Sequence, residues 1–369
     1  MKTIQWIISA LVAVVIIAAA VGGGVYFTRL KSIHSIRKLT DYENYNLYRM
    51  DIDYAYDLDR LIDRGITDNQ SMINAILAEA LPYLPIHMKA PNFGCSAFCT
   101  QGTDGHTLMG RNYDFKNDTS AMLVYCTPKD GYASVAFAAL DNINANTPDA
   151  SMAKKLATLT APFICLDGMN EKGVSIAVLT LDSDPTYQQT GKPMIATTLA
   201  IRLVLDRAAT TAEAVELLSK YDMFASSGRD YHFYITDASG DGRVLEYDCN
   251  DPARPLTVPP SRSVTNFFVM YKDNVLPNQR NGVYGHGRER YDAIEEILDA
   301  NAGSIDREIA WQALQAASQA PNPQDVTSNT QWSILYDNTA LTAEAVIRRD
   351  WNTKTSYDLV SNVAVTDVG

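Results

Sequence analysis

The chain has 369 residues, of which 46% are hydrophobic and 20% charged, a composition typical of a folded globular protein with a sizeable core. Its formal net charge of −12 argues against nucleic acid as a partner, because an acidic surface repels phosphate. The five cysteines are too few and too scattered for a disulfide framework, and the five histidines form no metal-binding pattern. We therefore expect neither a metal nor an organic cofactor.

The N-terminal stretch from Ile4 to Phe27 has no charge over 24 residues and would span about 36 Å as a helix. This length predicts an uncleaved signal anchor within residues 1–30, with a signal peptide cleaved near residues 18–22 as the alternative. Basic residues between 29 and 38 favour a cytoplasmic C-terminal side, whereas export of a signal-anchored enzyme favours the opposite orientation. We expect a single-pass anchored or exported protein on the extracytoplasmic side of the membrane.

Residues 31–94 form a linker followed by a segment whose pattern turns helical from Asp41 onwards. The stretch 54–65 places leucine and isoleucine on one helix face and ends at Gly65. The stretch 67–84 begins with Asp68 as an N-cap and is stopped by Pro82. We predict a helical segment upstream of the main domain and call residues 31–94 the upstream segment.

Beyond residue 94 the pattern changes to strands, then helices, strands, helices and strands again. Turn sequences such as GTDG at 102–105 and NEKG at 170–173 separate the strands of hairpins. Because strands and helices do not alternate one by one, the order predicts an α+β domain of antiparallel sheets over residues 95–369.

Two glycine-containing stretches give no support for ligand binding. DASGDG at 237–242 lacks most ligands of a calcium loop and is better interpreted as a hairpin turn. GHGRERYD at 285–292 follows no strand that would make it a phosphate-binding loop.

The sequence FGCSAFCTQ contains two cysteines, Cys95 and Cys99, with no histidine beside them to activate a thiol. One solution needs no histidine. If the Gly94–Cys95 bond were cut, Cys95 would carry a free α-amine whose pKa lies near 7.7–8.0, which suits a general base at neutral pH. In a strand both cysteines would lie on one face, but only Cys95 could become the new N-terminus.

The motifs CSAF, GRNYDF, DGMNEKGV, VTN, RY and QWSILYD occur in this order between residues 95 and 337. In order and spacing they resemble the N-terminal nucleophile hydrolases of the choloylglycine hydrolase group, which includes bile salt hydrolases, penicillin V acylases and acid ceramidase-like enzymes. Arg111 lies sixteen residues after Cys95, the spacing of that group, whereas Cys99 would give twelve. The resemblance, which covers roughly residues 95–348, thus identifies Cys95 as the nucleophile and leaves Cys99 a packing residue.

The resemblance implies a four-layer αββα sandwich and a set of site residues. Cys95 would be the nucleophile and its α-amine the base, Arg111 would favour the thiolate, and Asp114 would orient the amine. Asn266 would donate into an oxyanion hole, and Arg290 would complete the polar cluster. Thr180 stands where the group often has Asn or Tyr, so only its hydroxyl or its backbone N–H could contribute to the oxyanion hole.

The resemblance also implies an amidase that cuts a linear, non-peptide C–N bond through an acyl-Cys95 intermediate, after self-cleavage at Gly94–Cys95. As in the acid ceramidase-like enzymes, the upstream segment would stay docked after cleavage. Transfer of the acyl group to an amine, and a non-catalytic, membrane-tethered binding module, are the alternatives. Bile salts, penicillin V and N-acyl amines all remain candidate substrates, and the sequence does not indicate an oligomeric state.

Overall fold

The computed structural model describes residues 22–82, 94–115, 118–280, 282–323 and 328–368. Residues 4–21 of the predicted anchor, Ile4 to Phe27, lie outside these residues. Residues 22–34 are helical (α1), and within the described ranges no helix combines the length and hydrophobicity needed to span a bilayer.

Two large β-sheets form the centre of the described structure. The first has nine strands in the spatial order β1 (Arg37–Lys38), β2 (Leu47–Ile52), β5 (Ala121–Cys126), β6 (Ser134–Ala139), β7 (Cys165–Asn170), β8 (Ser175–Leu181), β11 (Asp230–Thr236), β12 (Gly242–Tyr247) and β13 (Leu256–Thr257). The second has seven strands in the order β14 (Ser263–Val264), β3 (Gly94–Gln101), β4 (Thr107–Asp114), β15 (Thr330–Asp337), β16 (Thr342–Ile347), β17 (Thr353–Asp358) and β18 (Val363–Val368). Two short strands, β9 (Met194–Ala196) and β10 (Asp222–Phe224), pair separately.

Helices cover the outer faces of both sheets. The α-helices after α1 are α2 (Leu58–Asp63), α3 (Asn69–Ala80), α4 (Met152–Ala157), α5 (Thr197–Arg207), α6 (Thr211–Ser219), α7 (Arg288–Ala300) and α8 (Arg307–Ala317), and 3₁₀ helices occupy Leu140–Ile143, Pro148–Ala150, Thr158–Phe163, Ser226–Gly228 and Val269–Asn274. Helices α5 and α6 pack on the nine-stranded sheet, α7 and α8 pack on the seven-stranded sheet, and β3 contacts β8 across the space between the sheets. The predicted α+β class and its layered arrangement are confirmed.

The buried apolar residues form two clusters. The larger one fills the space between the sheets and extends beneath α5, with Phe137 and Trp332 among its members. The smaller one lies between the seven-stranded sheet and α7 and α8, where Phe98, Leu298 and Trp311 are packed. The strand β3 contributes side chains to both clusters, because successive residues of a strand point to opposite faces.

The upstream segment is not wholly helical, which corrects one prediction. Its two helices, α2 and α3, begin at the N-caps Asp57 and Asp68. Residues 47–52, however, form β2, which pairs in parallel with β5 of the main domain. A strand buried on both faces lacks the alternation of polar and apolar residues by which strands are recognised, so the periodicity misled the prediction. The pairs β2–β5 and β9–β10 are also exceptions to the antiparallel prediction.

Candidate active site

Cys95 is the second residue of β3 and lies opposite Tyr113 of β4 in an antiparallel pair. It is fully buried, and both of its backbone groups are held by predicted site residues. Its N–H donates to Asn266 Oδ1 at 2.9 Å, and its carbonyl oxygen accepts from Arg290 Nη1 at 2.7 Å. The structure therefore fixes the position of the bond that precedes Cys95.

Arg111 lies on the face of β4 that is directed between the sheets. Its Nε donates to Asp167 Oδ2 at 2.9 Å, and both side chains are fully buried. The guanidinium also borders the Cys95 thiol, and its charge lowers the pKa of that thiol. Its Nη2 is buried and has no hydrogen-bond partner of its own within the described part of the chain. The arrangement places a cation with spare donor capacity beside the sulfur.

Asp167 is a residue of the site that the sequence analysis did not single out. Its carboxylate accepts from Tyr336 Oη at 2.6 Å and from Trp332 Nε1 at 3.2 Å, in addition to Arg111. These three donors fix the carboxylate and thereby the guanidinium that contacts Cys95. Asp167 begins the DGMNEKGV motif, and Trp332 and Tyr336 belong to QWSILYD. Their membership in these motifs was the sequence signal that could have identified them as site residues.

Asp114 points to the opposite face of β4 from Arg111, because the two residues are three positions apart in a strand. Its carboxylate accepts from Thr330 Oγ1 at 2.6 Å and from Gln319 Nε2 at 2.8 Å, and it pairs with Arg290 Nη1 at 3.4 Å. Burial raises the pKa of Asp114, and these three neighbours oppose that rise. Arg290 thus bridges the Asp114 carboxylate and the Cys95 carbonyl.

Asn266 connects the two sheets at the site. Its Oδ1 accepts from the Cys95 N–H and from Arg290 Nη2 at 2.7 Å. Its Nδ2 donates to the carbonyl oxygen of Thr180 at 2.9 Å and to Thr180 Oγ1 at 3.1 Å. Thr180 on β8 is therefore part of the cluster. Because the amide N–H of Asn266 is engaged by Thr180, its donation to an oxyanion stays a prediction.

The GHG stretch that gave no sign of ligand binding supports this cluster instead. Gly285 has a φ of +103°, and a Cβ there would lie 2.1 Å from the Asn266 carbonyl oxygen. Gly287 has a φ of +86°, and a Cβ there would lie 2.3 Å from Arg290 Nη2. Between them, His286 donates its N–H to the Asn266 carbonyl oxygen at 2.9 Å. Glycine is needed at both positions because the loop passes directly against two site residues.

The uncut chain holds the Cys95 thiol in its protonated form at neutral pH. Burial raises the pKa of Cys95 to about 11, although Arg111 opposes the rise. The thiol pKa therefore lies too high for a free thiolate at neutral pH, so a nucleophilic role would require a base that takes the proton. Asp114 is the carboxylate whose charge acts on this thiol.

A cavity of about 440 Å³ begins beside the cluster at Leu181, the residue after Thr180. Asp182, Asp184, Arg229 and Val283 contribute to its lining. Asp182 accepts a hydrogen bond from His286 Nδ1 at 2.7 Å, which ties the cavity wall to the loop behind Asn266. Among the described residues, no group of three His, Cys, Asp or Glu side chains is arranged to hold a metal ion.

Comparisons with known proteins agree with this geometry. Residues 95–251 match the family model of the linear amide C–N hydrolases, choloylglycine hydrolase family, and the match begins at Cys95. A variant of conjugated bile acid hydrolase from Clostridium perfringens matches with a TM-score of 0.53 and 16% identity over 74% of this chain and 97% of that one. Penicillin V acylase from Agrobacterium tumefaciens matches with a TM-score of 0.51 and 18% identity over 72% of this chain and 86% of that one. The predicted resemblance is confirmed.

Proposed function

We propose that this chain, a hydrolase of linear amide C–N bonds whose family region spans residues 95–251, works through Cys95 as an N-terminal nucleophile. The observation that carries the proposal is the convergence of the other predicted site residues on Cys95. Arg111 borders its sulfur, Arg290 and Asn266 hold its backbone, and Asp114 is linked to it through Arg290. A merely buried cysteine needs none of these contacts.

Self-cleavage comes first in this proposal. The Cys95 sulfur attacks the Gly94 carbonyl carbon, and the C–N bond breaks as the thiol proton passes to the nitrogen of Cys95. This step moves the Gly94 acyl group from nitrogen to sulfur. Water then hydrolyses the thioester, leaving a carboxylate on Gly94 and a free thiol beside the new α-amine on Cys95. The backbone contacts from Asn266 and Arg290 support the step because they hold the bond in place.

Substrate turnover uses the amine that cleavage has released. The α-amine takes the thiol proton while the sulfur attacks the substrate carbonyl, and the leaving amine then departs with that proton. Water hydrolyses the acyl-Cys95 thioester and regenerates the free thiol. Asn266 Oδ1, which accepts from the same nitrogen in the uncut chain at 2.9 Å, is placed to orient the amine, and Arg111 stabilises negative charge on the sulfur.

The substrate is a small molecule with a linear amide bond. The relatives' names indicate conjugated bile acids and penicillin V, and these two compounds, together with N-acyl amines, are the first substrates to test on this chain. The cavity that begins at Leu181 is the expected place for part of the substrate, since Leu181 follows Thr180 and both charged and apolar residues line the cavity.

The upstream segment is proposed to stay docked after cleavage and to keep the enzyme at the membrane. Leu47 and Met50 of β2 are fully buried in the nine-stranded sheet. Arg29 of α1 donates to the carbonyl oxygens of Glu79 and Ala80 at the end of α3, at 2.6 and 2.7 Å. The apolar stretch before α1 would then tether the docked enzyme, on the extracytoplasmic side. Membrane fractionation tests this, because a 95–369 chain found only in the soluble fraction would contradict it.

The deciding experiment is intact mass measurement with N-terminal sequencing of the purified protein, beside the Cys95→Ala variant. We expect the wild type to yield a fragment that begins Cys-Ser-Ala-Phe, whereas the variant stays whole. The control is Cys99→Ala, which should be cut like the wild type. A folded wild-type chain that remains uncut would contradict the proposal and would favour the binding-module alternative.

A further inference from the structure

The Asp114 carboxylate is held by two residues to which neither the sequence motifs nor the proposed mechanism gives a role. We propose that Thr330 and Gln319 are positioning residues that keep Asp114 ionised, so that Asp114 holds Arg290 against the Cys95 carbonyl oxygen. The inference rests on the proposed function, in which self-cleavage needs Arg290 to hold the backbone of Cys95.

The hydrogen bonds around Thr330 have a defined direction. Its hydroxyl oxygen accepts from the Gln319 backbone N–H at 2.7 Å. Its only hydroxyl hydrogen is then free for Asp114 Oδ1, which lies 2.6 Å away. Thr330 is the direct cross-strand partner of Asp114 in the β4–β15 pair, so the strand register itself sets this contact.

Gln319 completes the arrangement on the other carboxylate oxygen. Its Nε2 donates to Asp114 Oδ2 at 2.8 Å. Its backbone oxygen accepts from the Thr330 N–H at 2.9 Å and from Arg349 Nη1 at 2.6 Å, which fixes the residue at the end of the α8 connection. Both oxygens of Asp114 thus receive a neutral donor in addition to the more distant Arg290.

These donors decide whether a buried carboxylate can remain ionised. Asp114 has no exposed surface, and a carboxylate without partners in such a place takes up a proton. The charged or titratable groups that act on it are Arg290 on α7 and Arg349 after β16, together with Arg111 and the Cys95 thiol on the opposite face of the sheet. Arg290 is shared with the Cys95 carbonyl and Asn266, so it cannot replace both neutral donors.

The test follows the pH dependence of self-cleavage. The full chain is made by cell-free translation and shifted into buffers from about pH 4 to pH 8, and the appearance of the 95–369 fragment is timed. We expect the acid limb of the pH–rate profile to shift to higher pH by about one to two units in Thr330→Val, because the lost hydrogen bond favoured the charged Asp114 carboxylate. Gln319→Met should move it in the same direction, and Thr330→Ser should restore the wild-type profile.

A matched control separates positioning from loss of stability. Thr355→Val removes a buried hydroxyl from the same sheet. Within the described residues, this hydroxyl hydrogen-bonds only to the Thr366 hydroxyl. This variant should leave the pH profile unchanged, and thermal unfolding of all variants confirms that they fold. The inference is overturned if Thr330→Val keeps the wild-type acid limb or if Thr330→Ser fails to restore it. A wild type that is not cut at any pH overturns the proposed function itself.

Discussion

The two ends of β3 place chemically identical thiols in opposite electrostatic surroundings. Cys95 and Cys99 lie on the same face of one strand, and both are buried. Arg111 lowers the pKa of Cys95 against the effect of burial, whereas burial, Asp237 and Asp241 all raise the pKa of Cys99, to about 12. The comparison teaches that charge placement, rather than burial or secondary structure, separates the proposed nucleophile from the predicted packing residue.

The paired strand β4 creates this difference. Arg111 lies opposite Ala97, midway between the two cysteines, but its ion pair with Asp167 directs the guanidinium to the Cys95 end. The other end of the hairpin is closed by a turn in which His106 pairs with Asp337 at 2.8 Å. Each of the following predictions changes one side of the comparison.

The largest effect is expected when the Arg111 guanidinium beside Cys95 is removed. Arg111→Gln combined with Asp167→Asn removes the guanidinium without leaving a buried, unpaired carboxylate. We expect self-cleavage to slow by roughly 10²- to 10³-fold, as for the loss of one preorganised donor at a reaction centre. Intact mass measured over time gives the rate.

The control for this variant is a second buried Arg–Asp pair, Arg202 with Asp206. Arg202→Gln with Asp206→Asn alters a pair on the α5 side of the nine-stranded sheet. It should lower stability yet preserve cleavage. Equal loss of cleavage in both double variants would contradict the role assigned to Arg111.

The next largest effect concerns the contacts that hold the two fragments together after cleavage before Cys95. Leu47→Ala removes a fully buried side chain from β2 and should lower the free energy of unfolding by about 2–5 kcal/mol. The two wild-type fragments should elute together in size-exclusion chromatography, and the variant fragments should separate at a lower denaturant concentration. Fragments that separate in the wild type without denaturant would contradict docking.

A smaller effect is expected at the other cysteine. Cys99→Ala should leave cleavage and hydrolysis within about threefold of the wild type, because the charges acting on this thiol disfavour the thiolate. Loss of the buried sulfur should cost about 1 kcal/mol of stability. Chemical denaturation and the fragment masses check both expectations, and an uncut Cys99→Ala chain would refute the distinction between the two cysteines.

The smallest effect lies at the turn that closes the hairpin. The hydrogen bond that the His106 ring donates to the Asp337 carboxylate raises the pKa of His106, which is partly exposed. The protonated ring therefore stabilises the fold below the ordinary histidine pKa of about 6.5, and this contribution is lost as the pH rises through the raised pKa. His106→Gln should remove that part of the pH dependence of the melting temperature without changing cleavage. An unchanged dependence would show that the pair does not contribute.

The sequence determined much of the local structure because the relevant signals are local. The caps of α2 and α3 at Asp57 and Asp68 and the hairpin around GTDG follow from residues close in the chain. Strand β2 was missed because it is stabilised by pairing with β5, which lies far along the chain, and no local pattern shows that pairing. The hairpin of β17 and β18 was also not predicted, since no turn signal marked it.

For the candidate site, the order and spacing of the motifs predicted from the sequence the residues Cys95, Arg111, Asp114, Asn266 and Arg290, which the structure brings together. Only the tertiary structure decided how they are held. Asp167 lies on the facing sheet, Thr330 and Gln319 come from the last third of the chain, and their contacts depend on strand register and sheet packing. Residues far apart in sequence meet only when the sheets pair and stack, so no local pattern can specify these donors.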